Sequence, residues 1–169
     1  MADFDITVLI LSEHDNFRRS FTEIEAITDD SAELDRRWTD LADALEVHAA
    51  GEEEVFYPHL LKDVEDSEDD TEHAVKDHNE IRDATRAVAA EELGSEKWWE
   101  AFRTFREVTT EHLEEEEHDV LPPFKEQVSE EERSDLGMKW LQFHDEHDHA
   151  EGLSGEDVDP QEYVEEHSA

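Results

Sequence analysis

Six residues of this 169-residue chain combine metal-ligating chemistry with regular spacing: His14, His48, Glu52, His78, His112 and Glu116. A shift of 64 positions lays His14 on His78, His48 on His112, Glu52 and Glu53 on Glu116 and Glu117, and Pro58 on Pro122. The glutamates weigh little in so acidic a chain. Two His and a Pro coinciding at one offset, however, has odds of roughly one in ten thousand from composition alone. The apolar surroundings repeat as well, with Leu34 on Trp98, Trp38 on Phe102, Leu41 on Phe105 and Phe17 on Ile81. A His followed four residues later by a Glu sets an imidazole and a carboxylate on one helical face, one turn apart. Two such pairs, joined by one His from each of two other helices, bring together four imidazoles and two carboxylates. Each would cost several kcal/mol if left unpaired in a dry core, and a pair of metal ions satisfies all six. The chain has no Cys, so thiolate ligands, thiol nucleophiles and disulfides are excluded and only N and O donors remain.

These residues require four helices to carry them. Ile10, Phe17, Phe21 and Ile24 share a 3.6-residue row with His14 and predict a first helix over 6–28. Asp30, with Glu33 three residues on, caps a second helix whose stripe runs Leu34, Trp38, Leu41, Leu45, His48, Glu52, Val55 and His59. A third carries Ala74, His78, Ile81 and Val88 and breaks at Gly94; Ser95 caps a fourth with Trp98, Phe102, Phe105, His112, Glu116 and Val120. The short connections predict an all-α, up-down-up-down antiparallel four-helix bundle over residues 1–127. Ser129 with Glu132 opens an additional amphipathic helix over 128–150, expected on the outside of the bundle, and 151–169 reads as a loose acidic tail. In each half the first His lies near the middle of its helix and the second at matching height on the antiparallel neighbour, so the ligands converge.

Composition narrows the partners. Fifty-two Asp and Glu against fourteen Lys and Arg give a formal charge of −38, which argues against DNA, RNA or an acidic membrane face. Disorder is the ordinary reading of such charge, but four Trp and eight Phe at helical spacing argue for a packed core. The charge then reads as adaptation to molar salt, as in halophiles, where screening acts within about 3 Å. No apolar run is long enough to span a bilayer, and the start lacks a basic region, so the expected location is cytoplasmic.

The segments SEHDNFR around His14, HAAGEEEVFYP from His48 to Pro58, KDHNEIR around His78 and HLEEEEHDVLP from His112 to Pro122 resemble the hemerythrin, or HHE cation-binding, domain. The resemblance covers about residues 5 to 127 and implies a bundle holding a non-haem di-iron centre. Its two ions would be carboxylate-bridged, with scope for an oxo bridge. Position by position it implies His14, His48, Glu52, His78, His112 and Glu116 as ligands, with Glu52 and Glu116 bridging. The oxygen-carrying members have a further His one turn before His78, where this chain has Ala74. His73 stands about 140° round the helix from His78 and does not replace it. The departure argues against stable oxygen carriage. Three functions fit: a module that binds or senses dioxygen, nitric oxide, a peroxide or iron itself; a di-iron oxidase or peroxidase; or an iron store. No residue is singled out as catalytic.

Other patterns carry less. Glu115 to His118 and Glu146 to His149 fit the E-x-x-H string of ferritin-like sites, but neither repeats under the shift. His144 and His147 read as a solvated helix end rather than an auxiliary metal site. His59 and His118 read as surface groups, and Phe56 and Tyr57 as packing residues, with the Tyr57 hydroxyl a conceivable hydrogen-bond donor near the ions. Glu53 and Glu117, about 100° off the ligand row, read as dispensable. No phosphate loop or Ser-His-Asp spacing is present.

Overall fold

A computed structural model describes residues 4–168. Among them the structure is all-α, in eight helices: α1 (Ile6–Glu25), α2 (Ser31–Gly51), α3 (Tyr57–Asp63), α4 (Glu68–Ala89), α5 (Glu96–Glu115), α6 (Leu121–Gln127), α7 (Glu130–Glu146) and α8 (Pro160–His167). The helix starts form where capping side chains stand. Asp5, Asp30, Ser95 and Asp159 each accept a bond from a first-turn backbone N–H, and Ser129 with Glu132 makes a reciprocal capping box.

The second and fourth rods of the bundle are not regular. Glu52–Phe56 joins α2 to α3 as a π-helical turn, and Glu116–Val120 joins α5 to α6 in the same way. Each turn closes with a bond from five residues on, Tyr57 N–H to the Glu52 carbonyl and Leu121 N–H to the Glu116 carbonyl. The prolines at 58 and 122 are the physical reason, since a proline in a regular helix lacks an N–H and presses its ring on the carbonyl four residues back. Widening the preceding turn relieves both. The turn also changes which side chains share a face. In an α-helix residue 57 would lie about 140° round from residue 52, whereas the i→i+5 turn brings it nearly above it.

Two apolar clusters bracket the middle of the bundle. Toward one end lie Phe17, Phe21, Trp38, Trp98, Phe102 and Phe105, meeting largely edge to face. Toward the other lie Ile6, Ile10, Phe56, Leu60, Val75 and Phe124, together with Trp140 from α7. The buried His and Glu side chains lie on the helix rows between them.

α7 packs along α1 and α2. Its Gly137 is required: a Cβ there would stand 1.5 Å from the Phe4 carbonyl oxygen, and Arg133 beside it binds Asp5 at 2.8 Å. Residues 151–168 are not a loose tail. Asn79 exchanges two bonds with the backbone of Val158 at 2.7 and 2.9 Å, Arg86 holds the Gly155 carbonyl and Asp157, and Tyr163 of α8 is buried with its hydroxyl donating to the Glu53 carbonyl. A tail with little apolar surface is held here by polar bonds to α4, which composition does not reveal. No helix among the described residues is long and apolar enough to cross a membrane.

Candidate metal centre

His14 comes from α1, His48 and Glu52 from the end of α2 and its π turn, His78 from α4, and His112 and Glu116 from the end of α5 and its π turn. All six are at most 3% exposed. The structure brings them into one cluster of two overlapping halves. His14, His48, Glu52 and Glu116 offer atoms within 4.8 Å of one another, and so do Glu52, His78 and His112. Glu52 spans the halves, with Oε1 3.1 Å from His48 Nε2 and Oε2 3.0 Å from His78 Nε2. Glu116 faces the first half, with Oε2 3.3 Å from His14 Nε2, and its Oε1 accepts from Tyr57 at 3.0 Å.

Each imidazole is oriented from behind. The Nδ1 of His14 meets Glu117 at 2.9 Å, that of His48 meets Glu13 at 2.8 Å, that of His78 meets Glu53 at 2.9 Å, and that of His112 lies 3.5 Å from Asp77. A carboxylate on Nδ1 fixes the tautomer that turns the Nε2 lone pair inward, the arrangement metal-ligating histidines adopt. The carboxylates are themselves held: Glu117 by Arg18 at 2.8 Å, Glu53 by Arg82 at 3.0 Å, and Glu13 by Trp140 Nε1 at 2.8 Å and His144 at 3.2 Å.

The inner atoms are left without adequate partners. His14 Nε2, His48 Nε2, Glu52 Oε1 and Glu116 Oε2 are buried and make no hydrogen bond, although they lie close together. His78 Nε2 and His112 Nε2 face each other at 3.2 Å. With Nδ1 protonated in both rings, two lone pairs would meet there, and only a proton or a cation relieves them. Protons take that part without metal. Burial disfavours charge on His48, but Glu52 and Glu13 outweigh it and raise its pKa well above the ordinary value. Burial likewise opposes charge on His78, yet Glu52 and Glu53 carry it up to about 9. Glu52 is held well below the usual carboxylate range by the same imidazoles, against its own burial.

Tyr57 is the residue the helical rows miss. Its hydroxyl lies 3.0 Å from Glu116 Oε1 and 3.3 Å from both Glu52 Oε2 and His78 Nε2, and its ring stacks on that of His78. Burial and the facing Glu116 and Glu52 push its pKa well up, so it stays a neutral donor. Of the two readings of Tyr57, packing and a hydrogen-bond donor, the structure supports the second; its place there follows from the π turn, which regular 3.6 periodicity cannot anticipate and which the Pro following each E-E pair signals. The repeat partner of Tyr57 is Leu121 and that of Ala74 is Ile10, so the halves are chemically unlike.

Residues 5–124 match the hemerythrin HHE cation-binding domain. The chain belongs to this family. No curated protein and no solved structure matches it. A hemerythrin domain is a cation-binding bundle, and the buried His and Glu cluster fits a metal site in donor type, burial and unpaired inward atoms.

Several expectations change with the geometry. Glu53 and Glu117 are not idle, since they orient His78 and His14. His144 belongs neither to an auxiliary site nor to a purely solvated helix end: it bonds Glu13 and through it steadies His48. His147 instead meets the Glu151 carbonyl, His59 meets Asp63 and His118 meets the Glu114 carbonyl, all away from the cluster. Glu115 and Glu146 are exposed, and neither E-x-x-H string reaches the centre.

Proposed function

We propose that this hemerythrin-family domain holds two iron ions, one on His14 and His48 and the other on His78 and His112, with Glu52 and Glu116 shared between them, and binds a small diatomic or peroxidic ligand there. The observation that carries the reading is the set of unpaired inward donors, His14 Nε2, His48 Nε2, Glu52 Oε1 and Glu116 Oε2, in a dry core. Four buried donors without partners would cost several kcal/mol together; one cation among them compensates all four, and a second relieves the facing Nε2 atoms of His78 and His112, 3.2 Å apart. Hard carboxylates with imidazoles, and no sulfur, suit iron.

When bound, the ions supply redox electrons and open coordination positions. The chain supplies the rest. The orienting carboxylates hold each imidazole neutral on its inner nitrogen, and Phe17 and Trp140 flank His48, with ring centroids at 5.1 and 5.4 Å, and shield it from water. Tyr57 keeps a proton within hydrogen-bond reach of the His78 side. That proton, together with Ala74 where oxygen carriers place another His, favours conversion of the ligand over its reversible carriage. Sensing and an oxidase or peroxidase activity therefore rank ahead of transport, and iron storage is the remaining alternative.

The test is metal content with the optical spectrum of reduced, oxidised and oxygen-exposed protein. Two iron ions per chain and a short-lived adduct on mixing reduced protein with dioxygen are expected. One ion or none per chain, or zinc retained in preference to iron, refutes the di-iron reading.

A further inference from the structure

Outside the centre, one group of ligating side chains stands between solvent and the ions' positions. His73 on α4 lies 3.2 Å from Glu115 on α5 and 3.7 Å from Asp77, with one donor atom from each of the three within 4.8 Å of the others. Behind them opens a cavity of about 130 Å³ between α4, α5 and the second π turn. Its outer lining is Asp70, His73, Glu115 and Asp119, and it reaches inward to His112 and to Glu116, which carries an unpaired buried oxygen. Ala74 leaves the passage open where its repeat partner is the bulkier Ile10.

No Lys or Arg lines this cavity. Burial, with Asp119 and Asp69 nearby, raises the pKa of Asp70, as expected of a mouth short of positive charge. The recess that touches His78, about 230 Å³, is charge-balanced instead: Arg82 and Arg86 line it together with Asp43 and Glu46, and Ala150 and Gly155 contribute from the C-terminal segment. A divalent cation meets unopposed carboxylates in the first, and carboxylates already matched by guanidinium groups in the second. The repeat sharpens the contrast, because position 9, equivalent to His73, is Leu, and position 51, equivalent to Glu115, is Gly. The other half therefore has no counterpart of this group.

We propose that His73, Asp77 and Glu115 form an outer divalent-cation site that captures the metal and passes it inward, past Ala74, to His112 and Glu116. The inference rests on the two-metal reading above. Asp77 is the hinge of the transfer, since one carboxylate faces His73 through Oδ1 and His112 through Oδ2, at 3.7 and 3.5 Å. A cation arriving at the outer group thus shares a ligand with the back of an inner one.

Cobalt(II), which reports binding by its own visible absorption, separates the two readings. The full chain in molar KCl is mixed with cobalt(II) in a stopped-flow instrument, and both the rate of uptake and the final content are read. His73→Ala combined with Glu115→Gln, and separately Ala74→Ile, which plugs the passage without removing a ligand, are each expected to slow uptake by about tenfold while final content stays at two per chain. Glu107→Gln, an exposed charge on α5 away from the cavity, controls for net charge and is expected to leave the rate unchanged. Both test variants filling to two as fast as wild type overturns the route alone. Wild-type protein that takes up no cobalt overturns the two-metal reading and the route with it.

Discussion

The stability of the metal-free protein is expected to fall as pH rises from 6.5 to 9. In the folded chain His78 holds its proton up to about 9, against about 6.5 when unfolded. Unfolding above pH 6.5 therefore releases a proton that the native state keeps, so this contribution is complete below 6.5 and lost as pH passes through 9. At about 1.4 kcal/mol per pH unit, His78 alone accounts for roughly 3 kcal/mol, on the order of 10 °C in melting temperature for a domain of this size. His48 and His14 are shifted in the same direction and add to it. On the acid side Glu13 is held down at about 2, its bonds with His144 and His48 outweighing its burial, so its contribution is present above 4.5 and lost as pH falls toward 2. The metal-free optimum thus lies between about 4.5 and 6.5. With metal bound the imidazoles are neutral, so stability instead rises with pH up to about 6.5 and then levels. Thermal melts of chelated and iron-loaded protein in molar KCl, at half-unit steps from pH 5 to 9, measure both slopes. A chelated protein whose melting temperature is flat or rising between 6.5 and 9 refutes the buried imidazolium–carboxylate network.

Glu52→Ala or Glu116→Ala is expected to abolish binding of the pair, because Glu52 faces both halves and Glu116 is the other carboxylate proposed to be shared, whereas Glu53→Gln, which only weakens the support of His78, is expected to cost 10–100-fold in affinity; metal titration of the three variants distinguishes loss from weakening. Ala74→His is expected to lengthen the lifetime of the oxygen-exposed species, since position 74 shares a face with His78, and decay of visible absorbance at wild-type speed would oppose it. With a charge of −38, the metal-free chain is expected to lose helix in dilute buffer and regain it toward molar KCl, and circular dichroism indifferent to salt would contradict the reading of the charge as salt adaptation.

The helical bundle and the convergence of six His and Glu side chains were legible because both are periodic. Apolar residues every three or four positions mark a buried face whatever packs on it, and a 64-residue repeat places His14 with His78 and His48 with His112 before any contact is known. Caps at Asp30, Ser95 and Ser129 were legible for the same reason, since a cap acts within one turn of its own chain. What depended on non-periodic geometry was not. Tyr57 enters the centre only because a π turn before Pro58 rotates it onto the face of Glu52. Glu13, Glu53, Asp77 and Glu117 are indistinguishable in sequence from the solvated carboxylates around them, and only the packing of α1 against α2, of α4 against α5, and of the two π turns against α4 and α1 aims them at a particular imidazole. The anchoring of Trp140, His144 and Tyr163 spans well over a hundred residues in sequence, and the cavity beside Ala74 exists only between two assembled helices and a π turn. Local pattern determined which residues are buried and where the His and Glu side chains of the cluster lie along each helix; tertiary packing decided how each of them is oriented and from which side the cluster is reached, because orientation depends on distant neighbours that spacing along the chain does not encode.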